Sequence, residues 1–428
     1  MDPRSRGGSG GPRDDRGRSG RGASASTRLS EPIVRIAARG DGVTPSGRHV
    51  AFAVPGDLVT EDGVVHPGPG HQKPPCRHFP QCGGCQLQHL TDDAYADYCQ
   101  SRIGGALAQH GLETDVRPAL LSPPRARRRA SLRALKAGGK VLIGFNAGSS
   151  NQIVDMRECH VLRPELFALL DPLRVLLAAM LPARRTGEVH LTLADQGVDL
   201  MLKSVSVEGL DAIEALTAFC DANSLARLSI DEGYGAEPRF EPRPVTITLG
   251  ATAVALPIGA FLQATREGEG ALAQSVIEAV GDPIRPLDLF AGLGTFALNL
   301  PGRVMAAEAS RDAVLSLKRA APQIDAQHRD LYRRPFDEAE LAEFDAVVLD
   351  PPRAGAEEQV KALAGSAVPR IAYVSCNPAT FARDSRILAD GGYRLSWVQP
   401  VGQFLWSTHV ELAACFTRES GSGSGAIG

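Results

Sequence analysis

Cys376 stands in the run Ser375-Cys376-Asn377-Pro378, directly after the apolar segment RIAYVS. A thiol at the tip of a strand is placed to act as a nucleophile. At an unperturbed pKa of roughly 8.5 only a few per cent is thiolate near neutrality, but that fraction is strongly nucleophilic. A second cysteine group has the form Cys76-x5-Cys82-Gly83-Gly84-Cys85. Closely spaced thiolates separated by glycines wrap a small inorganic centre, which needs a fourth ligand. Cys159, in MRECHVL, is the remaining cysteine with polar neighbours. Zinc accepts the same four thiolates, so spacing leaves an iron–sulfur cluster and zinc both open. Cys99, Cys220 and Cys415 fall on apolar faces and are expected in the core.

Three carboxylates complete the chemistry-bearing set. Asp350 follows the apolar run AVVL and precedes Pro351-Pro352-Arg353, where it faces a binding crevice or simply starts a turn. Glu308 ends the run RVMAAE, placed to accept hydrogen bonds from the two hydroxyls of a ribose. It follows PLDLFAGLGTF, in which Gly292 and Gly294 allow a close backbone approach to a ligand. The third glycine of a dinucleotide fingerprint is missing, which favours S-adenosylmethionine over NAD. Glu411, the second residue of VELAACF, supplies a candidate base.

These residues need a scaffold. From Pro286 onward, short apolar strands alternate with helical segments, predicting a mostly parallel, doubly wound sheet whose carboxyl edge carries Glu308, Asp350 and Cys376. Tyr95, Cys99, Ile103 and Leu107 recur every fourth residue and predict a helix over 92–111, which can pack on that sheet. Residues 129–145 read as a hairpin turning at 137–139. Arg125, Arg127, Arg128, Arg129 and Arg133 make the densest basic patch, a phosphate contact or an ordinary solvated face. Short strands, IVRIAA and HVAFAV, precede the cysteines.

Composition sets the limits. The chain is 43% hydrophobic and 22% charged, with a mean hydropathy of −0.10, as in globular proteins. No apolar run approaches the roughly 20 residues of a membrane span, and no signal-peptide pattern opens the chain, so a cytoplasmic location is expected. The net charge of −3 leaves any attraction to nucleic acid to local patches. Residues 1–30, rich in Arg, Gly and Ser, and residues 419–428 are expected to be disordered tails.

The motifs CRHFPQCGGCQLQHL, FLQ, LDLFAGLGTF, LDPPRAG, YVSCNPATFARD and THVELAACF together resemble the RNA uracil-5-methyltransferase family, in the branch with a four-iron four-sulfur cluster that modifies large-subunit rRNA. The resemblance runs from about residue 31 to residue 418. It implies an abbreviated N-terminal β-barrel of the TRAM or OB type over 31–70, a central iron–sulfur α/β domain over 71–260, and a Rossmann-like methyltransferase domain over 261–418. It implies Cys76, Cys82, Cys85 and Cys159 as ligands of a [4Fe-4S] cluster, Cys376 as nucleophile and Glu411 as base. Phe261 and Gln263 match the pair that packs on the target base and reaches the cofactor. Phe290, Thr295, Glu308, Asp330 and Asp350 match positions contacting S-adenosylmethionine or the base. Ala264 and Thr265 stand where the family usually has Val-Asn, and Thr295 where many members have Asn.

The chemistry fits. Uracil C5 becomes nucleophilic only after a thiolate adds to C6, and a base must then remove the C5 proton. The expected partner is RNA, a uridine in an unpaired loop of 23S rRNA, with no membrane and no obligate protein partner. A degenerate RNA-binding protein is disfavoured by Cys376, Glu411 and the glycine turn together. An amino-methyltransferase, which Asp-Pro-Pro suggests, has no use for the cysteine, and RNA cytosine-5 enzymes carry theirs where Arg353 stands.

Overall fold

The computed structural model describes residues 30–182 and 184–418, so the two expected tails lie outside the described residues except for Ser30. Ser30 is already in a strand, Ser30–Pro32, paired with Leu58–Thr60. With Val65–His66 these make one three-stranded antiparallel sheet, and Arg35–Ile36, Gly42–Val43 and His49–Val50 make another. Ile33, Val50, Ala53 and Val59 pack between them. The strand expected through HVAFAV stops after Val50, because Phe52 takes a left-handed backbone with φ 58°.

Residues 129–240 form a six-stranded sheet flanked by helices Leu170–Met180 and Leu210–Ala222. The predicted hairpin is there as Arg129–Ala137 and Lys140–Gly144, turning on Gly138 and Gly139, both at positive φ. Ala130, Leu132 and Ala134 face the helices, as their alternation with Arg129, Ser131 and Arg133 requires.

The third body is a nine-stranded sheet. Five strands run parallel in the spatial order Asp325–His328, Met305–Glu308, Pro286–Leu289, Ala346–Leu349, Arg370–Ser375. Next comes Glu411–Thr417, antiparallel, and then Arg394–Gly402. Both faces are covered, so side chains split by alternation. Val347, Leu349, Ile371 and Tyr373 pack on one side, and Ala346, Val348, Ala372 and Val374 on the other. Helix Arg266–Val280 covers the second side through Leu272, Val276 and Ala279. Helix Asp92–Gln109, capped by Thr91, lies on the first side through Cys99, Ile103 and Leu107. The far edge is closed by the short strands Asp115–Val116 and Leu120–Leu121, which the sequence pattern did not announce. Cys99, Cys220 and Cys415 are buried, as their apolar faces required. No helix among the described residues is long and apolar enough to cross a membrane.

Candidate active site

A cleft of about 820 Å³ opens at the carboxyl edge of the parallel strands. Its wall includes Phe290, Glu308, Asp350 and Cys376, each ending a strand or standing one residue beyond it. This is where an open α/β sheet places its ligands, because the loops diverge there. Asp330 lines the cleft from the loop after Asp325–His328. Phe261, Gln263 and Arg127 approach from the opposite wall, and Phe404, His409 and Glu411 from the turn between the two antiparallel strands. Thr295 is the one expected contact that the lining does not include. It is half-buried, and its carbonyl accepts a hydrogen bond from Asn299 Nδ2 at 2.8 Å.

The glycine turn divides its labour. Gly292, at φ 57°, lines the cleft, and a Cβ there would meet nothing within 4 Å. A Cβ at Gly294 would lie 2.7 Å from Leu317 Cδ1, so that glycine serves packing rather than ligand approach. Glu308 is fixed by two backbone amides: Gly292 donates to Oε2 at 2.9 Å and Ser310 to Oε1 at 2.6 Å. Asp330 Oδ1 accepts from the Tyr332 amide at 3.0 Å, and the Tyr332 ring stands 5.6 Å from that of Phe290. The two rings offer an aromatic wall to a flat ligand. Tyr332 carried no sequence signal beyond its place after Asp330.

Cys376 and Glu411 meet through sheet register. Ser375 pairs with Leu412 across the antiparallel boundary, so the residue ending one strand stands beside the residue beginning the next. Burial, then the neighbouring charges of Glu411 and Asp350, push the Cys376 thiol above its ordinary pKa, with Arg353 opposing. The site therefore disfavours the thiolate more than an unperturbed cysteine would. Burial and then Asp350 push Glu411 up to about 8, while Gln403 and Arg129 oppose the rise. Burial alone pushes Asp350 up to about 7. Three acidic groups thus crowd one edge of the cleft, each pushed toward its neutral form.

Gln403 is buried and was not anticipated. Its Nε2 donates to Glu411 Oε2 and, at 2.7 Å, to Gln263 Oε1, while its Oε1 accepts from the Ala264 amide at 2.8 Å. Thr265 caps helix Arg266–Val280, its Oγ1 accepting from the Gly268 amide. This gives the departure from Val-Asn a local role.

The basic patch of the sequence breaks up. Arg128 is only 2% exposed, pairs with Glu269 and donates to the Gln263 carbonyl, so it belongs to the interior. Arg133 pairs with Glu188 on the sheet surface. Arg129 lies 4.7 Å from the Phe261 ring and donates to the Leu262 carbonyl. Arg127 lies 5.4 Å from the Phe404 ring. Burial pushes His409 below its ordinary pKa, with Arg353 and Arg127 adding to the effect.

Cys76, Cys82, Cys85 and Cys159 line one small cavity beside this cleft. Gly83 and Gly84 let the loop lie flat on its neighbour: their Cβ atoms would stand 2.7 Å from the Asn146 carbonyl oxygen and 2.9 Å from the Phe145 ring. Burial pushes Cys85 up to about 12 and raises the other three thiols. Among the described residues, no group of three or more His, Cys, Asp or Glu side chains is placed to hold a metal ion.

Comparison with known proteins now bears on this geometry. The family described as tRNA (uracil-5-)-methyltransferase matches residues 326–419. A 23S rRNA (uracil(1939)-C(5))-methyltransferase, RlmD, from Shewanella frigidimarina is 32% identical over 80% of this chain and 82% of its own. The chain belongs to the RNA uracil-5-methyltransferase family. An uncharacterized RNA methyltransferase of Zymomonas mobilis is 50% identical, over 90% of this chain and 99% of its own. The fold matches the tRNA (uracil-54, C5)-methyltransferase of Pyrococcus abyssi, solved with S-adenosyl-L-homocysteine. Its TM-score is 0.68 at 23% identity, over 91% of this chain and all of that one. In this RNA uracil-5-methyltransferase, Cys376 and Glu411 line one cleft.

Proposed function

We propose that this enzyme transfers a methyl group from S-adenosylmethionine to C5 of a uridine in an unpaired loop of 23S rRNA. The observation that carries the reading is the placement of Cys376 and Glu411 side by side on the cleft through the Ser375–Leu412 pair. The Cys376 thiolate forms an S–C6 bond, and the displaced π electrons reach O4 through C5. The donor supplies an electrophilic methyl carbon on a positively charged sulfur. Carbon C5 takes that methyl group as the S–CH3 bond breaks with its electron pair left on sulfur, so that neutral S-adenosylhomocysteine departs. Glu411 then takes the C5 proton, and the returning electron pair expels the cysteine. Asp350 hydrogen-bonds the base edge. Glu308 holds the donor's ribose, and Phe290, Gln263 and Asp330 complete its contacts. An unpaired uridine avoids the few kcal/mol of extrusion from a stack. Arg127 and Arg129 supply positive charge beside the base, in the cytoplasm where rRNA is processed.

We also propose that Cys76, Cys82, Cys85 and Cys159 hold a [4Fe-4S] cluster that shapes the RNA-binding region. All four border one cavity, and a set of four cysteine sulfurs is the donor set such a cluster takes. Residues 31–70 serve as a TRAM-like RNA contact, 71–260 as the cluster domain and 261–418 as the methyltransferase domain.

The test is nucleoside mass spectrometry on rRNA fragments and tRNA transcripts that lack 5-methyluridine. Cys376→Ala should abolish methylation, and Glu411→Gln should trap a protein–RNA adduct that survives denaturing gels. Activity retained by Cys376→Ala would overturn the mechanism, and modification of tRNA alone would overturn the substrate. Zinc without iron after anaerobic purification would overturn the cluster.

A further inference from the structure

We infer that Gln403 is a positioning residue that sets which atom of Gln263 and which oxygen of Glu411 the cleft receives. The inference rests on the proposed covalent methylation. Its basis is one side chain with every donor accounted for. A backbone N–H can only donate, so the atom of Gln403 that meets the Ala264 amide must be the oxygen. The Nε2 end then faces Gln263 and Glu411, and its two hydrogens are shared between Gln263 Oε1 and Glu411 Oε2.

Two consequences follow for the reacting groups. Gln263 has its oxygen turned inward, so its Nε2 is left for the cleft and has no partner within the described residues. It is therefore presented as a hydrogen-bond donor and fits an acceptor oxygen: the O4 carbonyl of uracil, where cytosine carries an amino group, or a carboxylate of the methyl donor. Glu411 has Oε2 held by a neutral donor, and Oε1 is left without a partner within the described residues. That leaves Oε1 to take the C5 proton. The hydrogen bond from Gln403 also favours the charged, basic form of Glu411 against burial and Asp350, as the nearby Arg129 does.

The packing is built for this contact. Helix Arg266–Val280 brings Gly268 so close that a Cβ there would lie 2.5 Å from Gln403 Cβ. Gly268→Ala therefore crowds Gln403 while keeping its amide in the sequence, and it crowds Thr265 Oγ1 as well, 2.8 Å from that Cβ. Gln403→Met keeps length and removes every hydrogen bond, whereas Gln403→Glu keeps shape but loses both donated hydrogens when ionised.

The experiment compares these three variants with wild type and with Glu411→Gln. It reads kcat, denaturation-resistant adduct, the affinity for S-adenosylhomocysteine without RNA, and the KM for RNA. Losing a hydrogen bond to a charged group should lower kcat about tenfold or more, with adduct accumulating because release is slowed. A weakened affinity for S-adenosylhomocysteine assigns the Gln263 donor to the cofactor carboxylate. A raised KM for RNA at unchanged affinity assigns it to the base. Folded Gln403 variants with wild-type kcat and no adduct would overturn the inference. If both fail to fold, Gly268→Ala decides it by the same readings. Glu411→Gln separates the two levels. If it traps no adduct, the covalent reading fails. If it traps one while the Gln403 variants behave as wild type, only the role of Gln403 fails.

Discussion

The main-chain carbonyl of Trp406 accepts a hydrogen bond of 2.8 Å from the amide of Gln86, the residue after Cys85. A second, from Leu87, has the same length. The cysteine loop is thereby fastened to the turn that carries Gln403, His409 and Glu411. Cys85→Ser should loosen that turn although Cys85 does not line the cleft. Amide hydrogen exchange over 403–411 should quicken and methylation should fall. Unchanged exchange there would mean that the two loops are held independently.

The acidic edge of the cleft predicts a pH dependence with a definite sign. Glu411 at about 8 and Asp350 at about 7 hold protons in the fold that the unfolded chain has already released in the usual carboxylate range. Their contribution to stability is fully present below that range and is lost as pH rises through 7 to 8. The melting temperature should fall across that window, and Glu411→Gln should flatten part of the fall. Catalysis runs the other way, because Glu411 is a base only when ionised. Adduct release should quicken as pH rises toward 8, as quenched-flow gels at several pH values would show.

Glu308 is the most exacting of the expected cofactor contacts, since two backbone amides already fix its carboxylate. Glu308→Gln replaces one acceptor oxygen by a donor that faces an amide N–H. The affinity for S-adenosylhomocysteine should weaken about tenfold or more, while RNA affinity stays as it was. Calorimetry and filter binding separate the two.

Arg128 and Glu269 predict stability rather than activity. Arg128 is buried and Glu269 mostly so, with 2% and 12% of their side chains exposed. Glu269→Gln leaves the guanidinium without a counter-charge and should cost about 3 kcal/mol in urea unfolding. The double variant Arg128→Met with Glu269→Leu should recover much of that loss.

Much of the site is legible in the sequence because parallel strands put their last residues on one edge. Glu308, Asp350 and Cys376 each end an apolar run, and that pattern is local. Gln403 is not legible: its partners Gln263 and Ala264 lie about 140 residues away, and a glutamine in a turn ordinarily faces water. Arg128 misleads for the same reason. The alternation of 129–134 does place it on the inward side, but only Glu269, far along the chain, makes an inward arginine tolerable. The strands at 115–121 are two residues each, too short for a period-2 pattern to register.

Those two short strands have a consequence for how the molecule is made. They close the edge of a sheet whose next member, Arg394–Gly402, lies about 280 residues further along the chain. The edge-closing strands therefore leave the ribosome before their partner and wait for about 280 further residues before they have anything to pair with. Arg117, stacked 3.8 Å from Trp397 and paired with Glu278, seals the same seam. A C-terminal half released by itself would carry an unpaired, apolar edge strand, an invitation to aggregate. The sheet of the catalytic half is completed by strands from far upstream in the chain, which makes that half dependent on residues outside it rather than a module that can be passed between proteins.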